Sequence, residues 1–135
     1  MVEDPVSKTA EQFIEGQDLK WKRELARGRL IKMKDVGREG WQYWARKAWT
    51  FHIQHDYRVK VLVLERIEFD HAEGKRAYAW DGTTGAVEYR LGYYTLGGFR
   101  TGKGRWLWGQ YSPMIPKQDF DDLLSRAKMN GTLVD

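Results

Sequence analysis

Cysteine is absent from the 135 residues, which removes disulfides, thiolate metal ligands and a cysteine nucleophile together. Serine is scarce: Ser7, Ser112 and Ser125 are the whole set, and none sits in the glycine-flanked elbow that presents a nucleophilic serine. Asparagine occurs once, at Asn130, beside a charged fraction of 31%, the balance expected of a heat-adapted protein. No run approaches the ~18 consecutive apolar residues of a membrane-spanning helix. The opening MVEDPVSKTAEQ is polar and acidic where a secretory leader would be basic and then apolar. The expectation is a soluble, cytoplasmic protein with no membrane contact.

What is present suits one domain, residues 1–135, with residues 1–8 frayed. Seven Trp, seven Tyr and five Phe within an apolar fraction of 41% suffice for a single core. The net charge of +4 hides an uneven distribution. Residues 20–60 carry twelve cations against four acids, and residues 89–112 carry four cations and no acid. Two basic blocks that merge on folding would favour a polyanionic partner.

Along the chain, Thr9 and Gln12 have capping-box spacing ahead of Phe13 and Ile14. Asp18 is a second cap, for a short helix over 18–27 that Gly28 stops. RLIKMKDVG alternates as a strand. In GREGWQYWARKAWTFHIQHD, Trp41, Trp44, Ala45, Ala48 and Trp49 fall at helical spacing, whereas Trp49, Phe51 and Ile53 alternate. This predicts a helix at about residues 39–47, with Arg38, Gln42 and Arg46 as its polar stripe and the three indoles as its core face, leading into a strand from Trp49 to Gln54. YRVKVLVLERIEF is a central strand with Tyr57, Val59, Val61, Val63, Ile67 and Phe69 on one face and Leu62 and Leu64 on the other. RAYAW is a shorter strand, and VEYRLGYYTL and GRWLWGQY are the arms of a hairpin. MIPKQDFDDLLSRAKMNG closes the chain as a helix: Phe120, Leu123, Leu124 and Ala127 form its apolar stripe and its charges suit the dipole. Short polar turns leave little room for crossovers. The predicted fold is α+β: a single, mostly antiparallel β-sheet of about five strands against a C-terminal helix and one or two short N-terminal helices.

The hairpin tip, GGFRTGK, places Gly97, Gly102 and Lys103 at most of the positions of a phosphate-binding loop. The position that should hold a magnesium-binding Ser or Thr is Gly104, and RWLWGQY continues as strand where a helix N-terminus is required. The loop is better explained as a cationic finger carrying Arg100, Lys103 and Arg105, with glycines supplying positive φ.

Signals for chemistry are weak. His52, His55 and Asp56 resemble metal ligands by type, but at that spacing across a strand end the two histidines point to opposite faces and a third ligand must come from elsewhere. No metal, cofactor or catalytic residue is therefore assigned. Glu65, Glu68, Asp70 and Lys75 are the set a metal-dependent nuclease would draw on, at unfavourable spacing.

The preferred function is non-catalytic binding of nucleic acid, single-stranded DNA or RNA favoured. Cations would hold phosphates while rings stack on bases. The contacting residues are Arg100, Lys103, Arg105 and Arg90 at the hairpin; Lys20, Lys22, Arg23, Arg27, Arg29, Arg38 and Arg46 in the first basic block; and the rings of Tyr93, Trp106 and Trp108. The alternatives are the nuclease and an accessory protein whose aromatic surface meets a second copy or another chain.

Overall fold

Thr9 opens the first helix as its spacing predicts: its hydroxyl accepts the Gln12 N–H at 3.2 Å and its own N–H donates to the Gln12 side chain at 3.0 Å. The computed structural model describes residues 7–34, 40–74, 84–97 and 104–135. In it, helix α1 runs over Ala10–Ala26 without interruption and ends before Gly28, whose φ of 69° suits glycine. The short helix over 18–27 is therefore the second half of α1, and Asp18 caps nothing. Its carboxylate instead accepts from Lys22 and from the Trp49 indole N–H, each at 2.8 Å. Partial burial pushes the Asp18 carboxyl up, but those donors outweigh it and leave the pKa lowered.

Five strands follow: β1 (Leu30–Met33), β2 (Trp41–Ile53), β3 (Lys60–Glu73), β4 (Val87–Leu96) and β5 (Trp106–Trp108). They pair as an antiparallel meander in chain order. Helix α2 (Lys117–Met129) then returns across the sheet. The helix expected at 39–47 is a correction, because residues 41–47 lie in β2. The register of β2 slips between Arg46 and Ala48, leaving Lys47 as an extra residue. A bulge of this kind puts residues three apart on one face, so Arg46 and Trp49 share a face and the strand imitates helical spacing. Its aromatic and β-branched content then decides for the sheet. The strand expected at RAYAW lies outside the described residues.

Strand β3 is buried on both sides. Val61 and Val63 pack with Phe51, Trp21 and Ala10 beneath α1, while Leu62 and Leu64 pack with Leu123 and Ala127 of α2. Val61, Leu62 and Val63 are wholly inaccessible, so each contributes about 1.5–3 kcal/mol of apolar burial. Two glycines act by what they lack. A Cβ on Gly92 would meet the Trp108 ring at 2.2 Å, and one on Gly109 would meet the Tyr93 ring at 2.0 Å; indole and phenol each occupy the space a side chain would need.

The sheet curls around its α1 face. Arg90 of β4 reaches Met33 of β1, Nη1 to Sδ 2.9 Å, although β2 and β3 lie between them in the sheet. Among the described residues no helix is long and apolar enough to cross a membrane.

Candidate nucleic-acid interface

Residue 65 interrupts the apolar row of β3 with a carboxylate, and that carboxylate organises the concave face. Glu65 is fully buried. Arg90 approaches it as a fork, Nε to Oε2 2.5 Å and Nη2 to Oε1 3.0 Å, and Arg46 donates from Nε to Oε1 at 2.6 Å. Arg46 continues to Glu24 of α1 at 3.3 Å, and Glu24 accepts from Arg29 at 3.2 Å. The Arg46 guanidinium lies 3.8 Å over the Trp21 ring, and that of Arg90 lies 5.1 Å over Trp108. Arg46 and Arg90, both among the expected phosphate contacts, are thus engaged in an ion network around Glu65. Burial and the Glu65 charge raise the pKa of the neighbouring Tyr94, whose hydroxyl accepts from Gln17 at 3.1 Å.

Two of the three predicted stacking rings are half-buried against the core. Trp106 stacks on Phe13 with centroids 5.0 Å apart and donates its indole N–H to the Lys8 carbonyl. Tyr93 packs on the α2 side with Leu62 and Leu64, and its hydroxyl accepts the Tyr111 N–H. The alternation of β4 and β5 turns these rings toward the helices. Trp108 keeps 40% of its surface exposed, its ring meeting Tyr94 edge-on.

The remaining cations sort by location. Lys20, Lys22 and Arg23 stand exposed on α1, with Lys22 paired to Asp18, and Arg27 and Arg29 follow its end. Arg105 is exposed beside β5. Arg38, Arg100 and Lys103 lie outside the described residues. A hollow of about 370 Å³ between α1 and β1 is lined by Lys20, Arg29, Lys32 and Arg46, with Glu24 as its acid and Trp21 and Tyr94 in its wall. Around the β1 edge, on the other face of the sheet, Lys32 Nζ lies 4.3 Å and Lys34 Nζ 4.9 Å from the centroid of Trp41, which is 40% accessible. Trp41 is the ring the sequence pattern missed, because helical spacing groups it with buried Trp44. In a strand, residues three apart face opposite ways, and that parity was the available signal.

Each described member of the nuclease set has a partner of its own. Glu65 is locked between two arginines, and Glu68 lies 3.8 Å from Lys47. Asp70 is bound at 2.6 Å by His71, while Lys75 is outside the described residues. His71 also contacts Glu73 at 3.3 Å and stacks on Tyr43 with centroids 4.4 Å apart. The Asp70 hydrogen bond, aided by Glu73, raises the His71 pKa above its ordinary 6.5. A raised histidine pKa contributes stability that is fully present below 6.5 and is lost as pH rises through the folded value. An NMR titration should give a His71 midpoint above 6.5 in the wild type and a lower one in Asp70→Asn; an unchanged midpoint in the variant would refute the pairing.

On the opposite face of the sheet, Asp119 in the first turn of α2 is 1% exposed. Its Oδ1 is 2.8 Å from His52 Nε2 and accepts the His55 N–H at 3.0 Å, and its Oδ2 is 2.7 Å from His55 Nδ1. Arg126 stands 3.2 Å from His52 Nδ1. An arginine only donates, so Nδ1 of His52 accepts and Nε2 carries the proton to Asp119. Burial pushes the Asp119 carboxyl up, yet these donors leave its pKa lowered, and the Asp119 bond in turn raises His55. The histidines that strand spacing would aim apart meet on one carboxylate, since β2 ends at Ile53 and the chain turns before His55. Compared with known proteins, the chain matches no family model, no curated protein and no solved structure.

Proposed function

We propose that the protein binds single-stranded nucleic acid without catalysis, along the edge formed by α1 and β1. The observation that carries this reading is the position of Lys32, which belongs both to the cationic hollow and to the pair of lysines flanking Trp41. Lys20, Arg29, Lys32 and Lys34 hold phosphates there, and Trp41 offers a face on which a base stacks. Such a combination tolerates any sequence, because every base has a π-face and every nucleotide a phosphate. Arg46 serves from below, keeping Trp21 and Glu24 in place. Arg105, exposed beside β5, is a further cation available to a phosphate.

Titration of tryptophan fluorescence with a single-stranded oligonucleotide over a salt series tests this. Four phosphate contacts predict a slope of log K against log salt of about −3, falling by about 1.4 in Lys32→Ala/Lys34→Ala. Trp41→Ala should weaken binding by about 1–3 kcal/mol, roughly 5- to 150-fold. Binding that ignores salt, or that is unchanged in the double lysine variant, rejects this interface.

A further inference from the structure

We propose that His55, Asp56 and Asp119 form a binding site for a zinc-class divalent cation, with His52 and Gln54 as positioning residues. The site lies on the α2 face of the sheet and does not depend on the nucleic-acid reading.

One ligand atom from each of His55, Asp56 and Asp119 lies within 4.8 Å of the others, a spread that a small movement of the exposed His55 and Asp56 side chains closes around one ion. The hydrogen bonds divide each carboxylate into a held oxygen and an available one. Asp119 Oδ1 is fixed by His52 Nε2 and the His55 N–H, which leaves Oδ2 facing only His55 Nδ1. Asp56 Oδ1 is held at 2.8 Å by Gln54 Nε2, which leaves its Oδ2 open. Metal ligands are commonly oriented in this way by a further layer of hydrogen bonds. His52 is itself held from behind by Arg126.

Gln54 supplies an independent indication. It is 9% exposed, its amide lies against Asp56, and its carbonyl oxygen has no hydrogen-bond partner. A buried amide oxygen without a donor is costly, and a cation or its bound water at Asp56 would relieve it.

One imidazole nitrogen and two carboxylate oxygens suit Zn²⁺ or Co²⁺ better than Mg²⁺ or Ca²⁺, which prefer oxygen alone. On binding, the ion takes the place of the proton between His55 Nδ1 and Asp119 Oδ2, and that proton leaves to solvent. Three protein ligands at an accessible surface leave a fourth position for water, the coordination of reactive rather than purely structural zinc.

Thermal unfolding of chelator-treated protein with Zn²⁺ alone is the test. At a tenfold excess over Kd, the melting temperature should rise by about 5 °C. Mg²⁺ at the same concentration should leave it unchanged. Asp119→Asn disturbs a buried group and can cost the fold, so the deciding variants are His55→Gln and Asp56→Asn, both at the surface. Each should fold and lose the Zn²⁺ shift, whereas His71→Gln should retain it. His52→Gln should weaken Zn²⁺ by about 10- to 100-fold, more than its effect on the metal-free protein predicts. No shift with Zn²⁺, a shift that survives both deciding variants, or an equal response to Mg²⁺ would overturn the proposal.

Discussion

Glu65→Ala should destabilise the fold by about 3–5 kcal/mol, the cost of breaking a buried ion pair by removing one partner. Glu65 has no accessible surface, and the Arg46 side chain is only 12% exposed. Without the carboxylate, Arg46 keeps only the longer contact to Glu24 and the face of Trp21. Arg90, at 29%, recovers part of its hydration by swinging outward. The network also ties β2, β3 and β4 to α1, so its loss loosens elements distant in sequence. Urea unfolding should show a lower midpoint with an unchanged slope. A loss below about 1 kcal/mol would place the pair with dispensable surface bridges. Replacing Glu65, Arg46 and Arg90 together by apolar side chains of similar volume should cost far less than Glu65→Ala, because no charge is stranded.

Leu123→Ala should cost about 2–5 kcal/mol by a different route, lost transfer energy plus an unfilled cavity. Leu123 is fully buried and packs with Leu62, Leu64 and Ala127, so its side chain is the centre of the seam between α2 and the sheet. Phe120, one turn earlier, is 38% exposed. Phe120→Ala should therefore cost much less, although both positions belong to the stripe read from the sequence. The tie from Asp119 to His52 and His55 remains in both variants, so hydrogen exchange should show the C-terminal half of α2 opening first in Leu123→Ala. Equal losses at the two positions would contradict the packing described.

Much of this fold is legible in particular residues. The near-continuous apolar run through β3, the capping box at Thr9, the alternation of β4 and the charge-loaded α2 each state a local preference that the tertiary structure respects. Antiparallel order follows from short connections. The segment of β2 was not legible, because Lys47 bulges and the resulting phase change copies a helical period. Glu65 carried a signal of its own: a single acid in an otherwise apolar row. Parity alone points it inward, and a buried carboxylate must then find cations.

The proposed interface was legible only as charge. Twelve cations in residues 20–60 raise the expectation of a polyanionic partner, but pattern cannot distinguish Lys32, which meets Trp41 at the surface, from Arg46, which is spent on Glu65. That difference depends on which way a side chain leaves a strand and on what the opposite element brings. The meeting of His52 and His55 on Asp119 is further from local pattern still, since more than sixty residues separate His55 from that carboxylate.

By itself the sequence determined the type of most described elements, the first half of β2 excepted, together with the antiparallel sheet, the doubly buried central strand and the excess of positive charge, because each depends on neighbours along the chain. The tertiary structure alone decided which arginines are internal and which indole is exposed. It also decided which carboxylate gathers the histidines. Those outcomes depend on the curl of the sheet and the docking of two helices on opposite faces, which bring together groups whose separation in sequence carries no information about their distance in space.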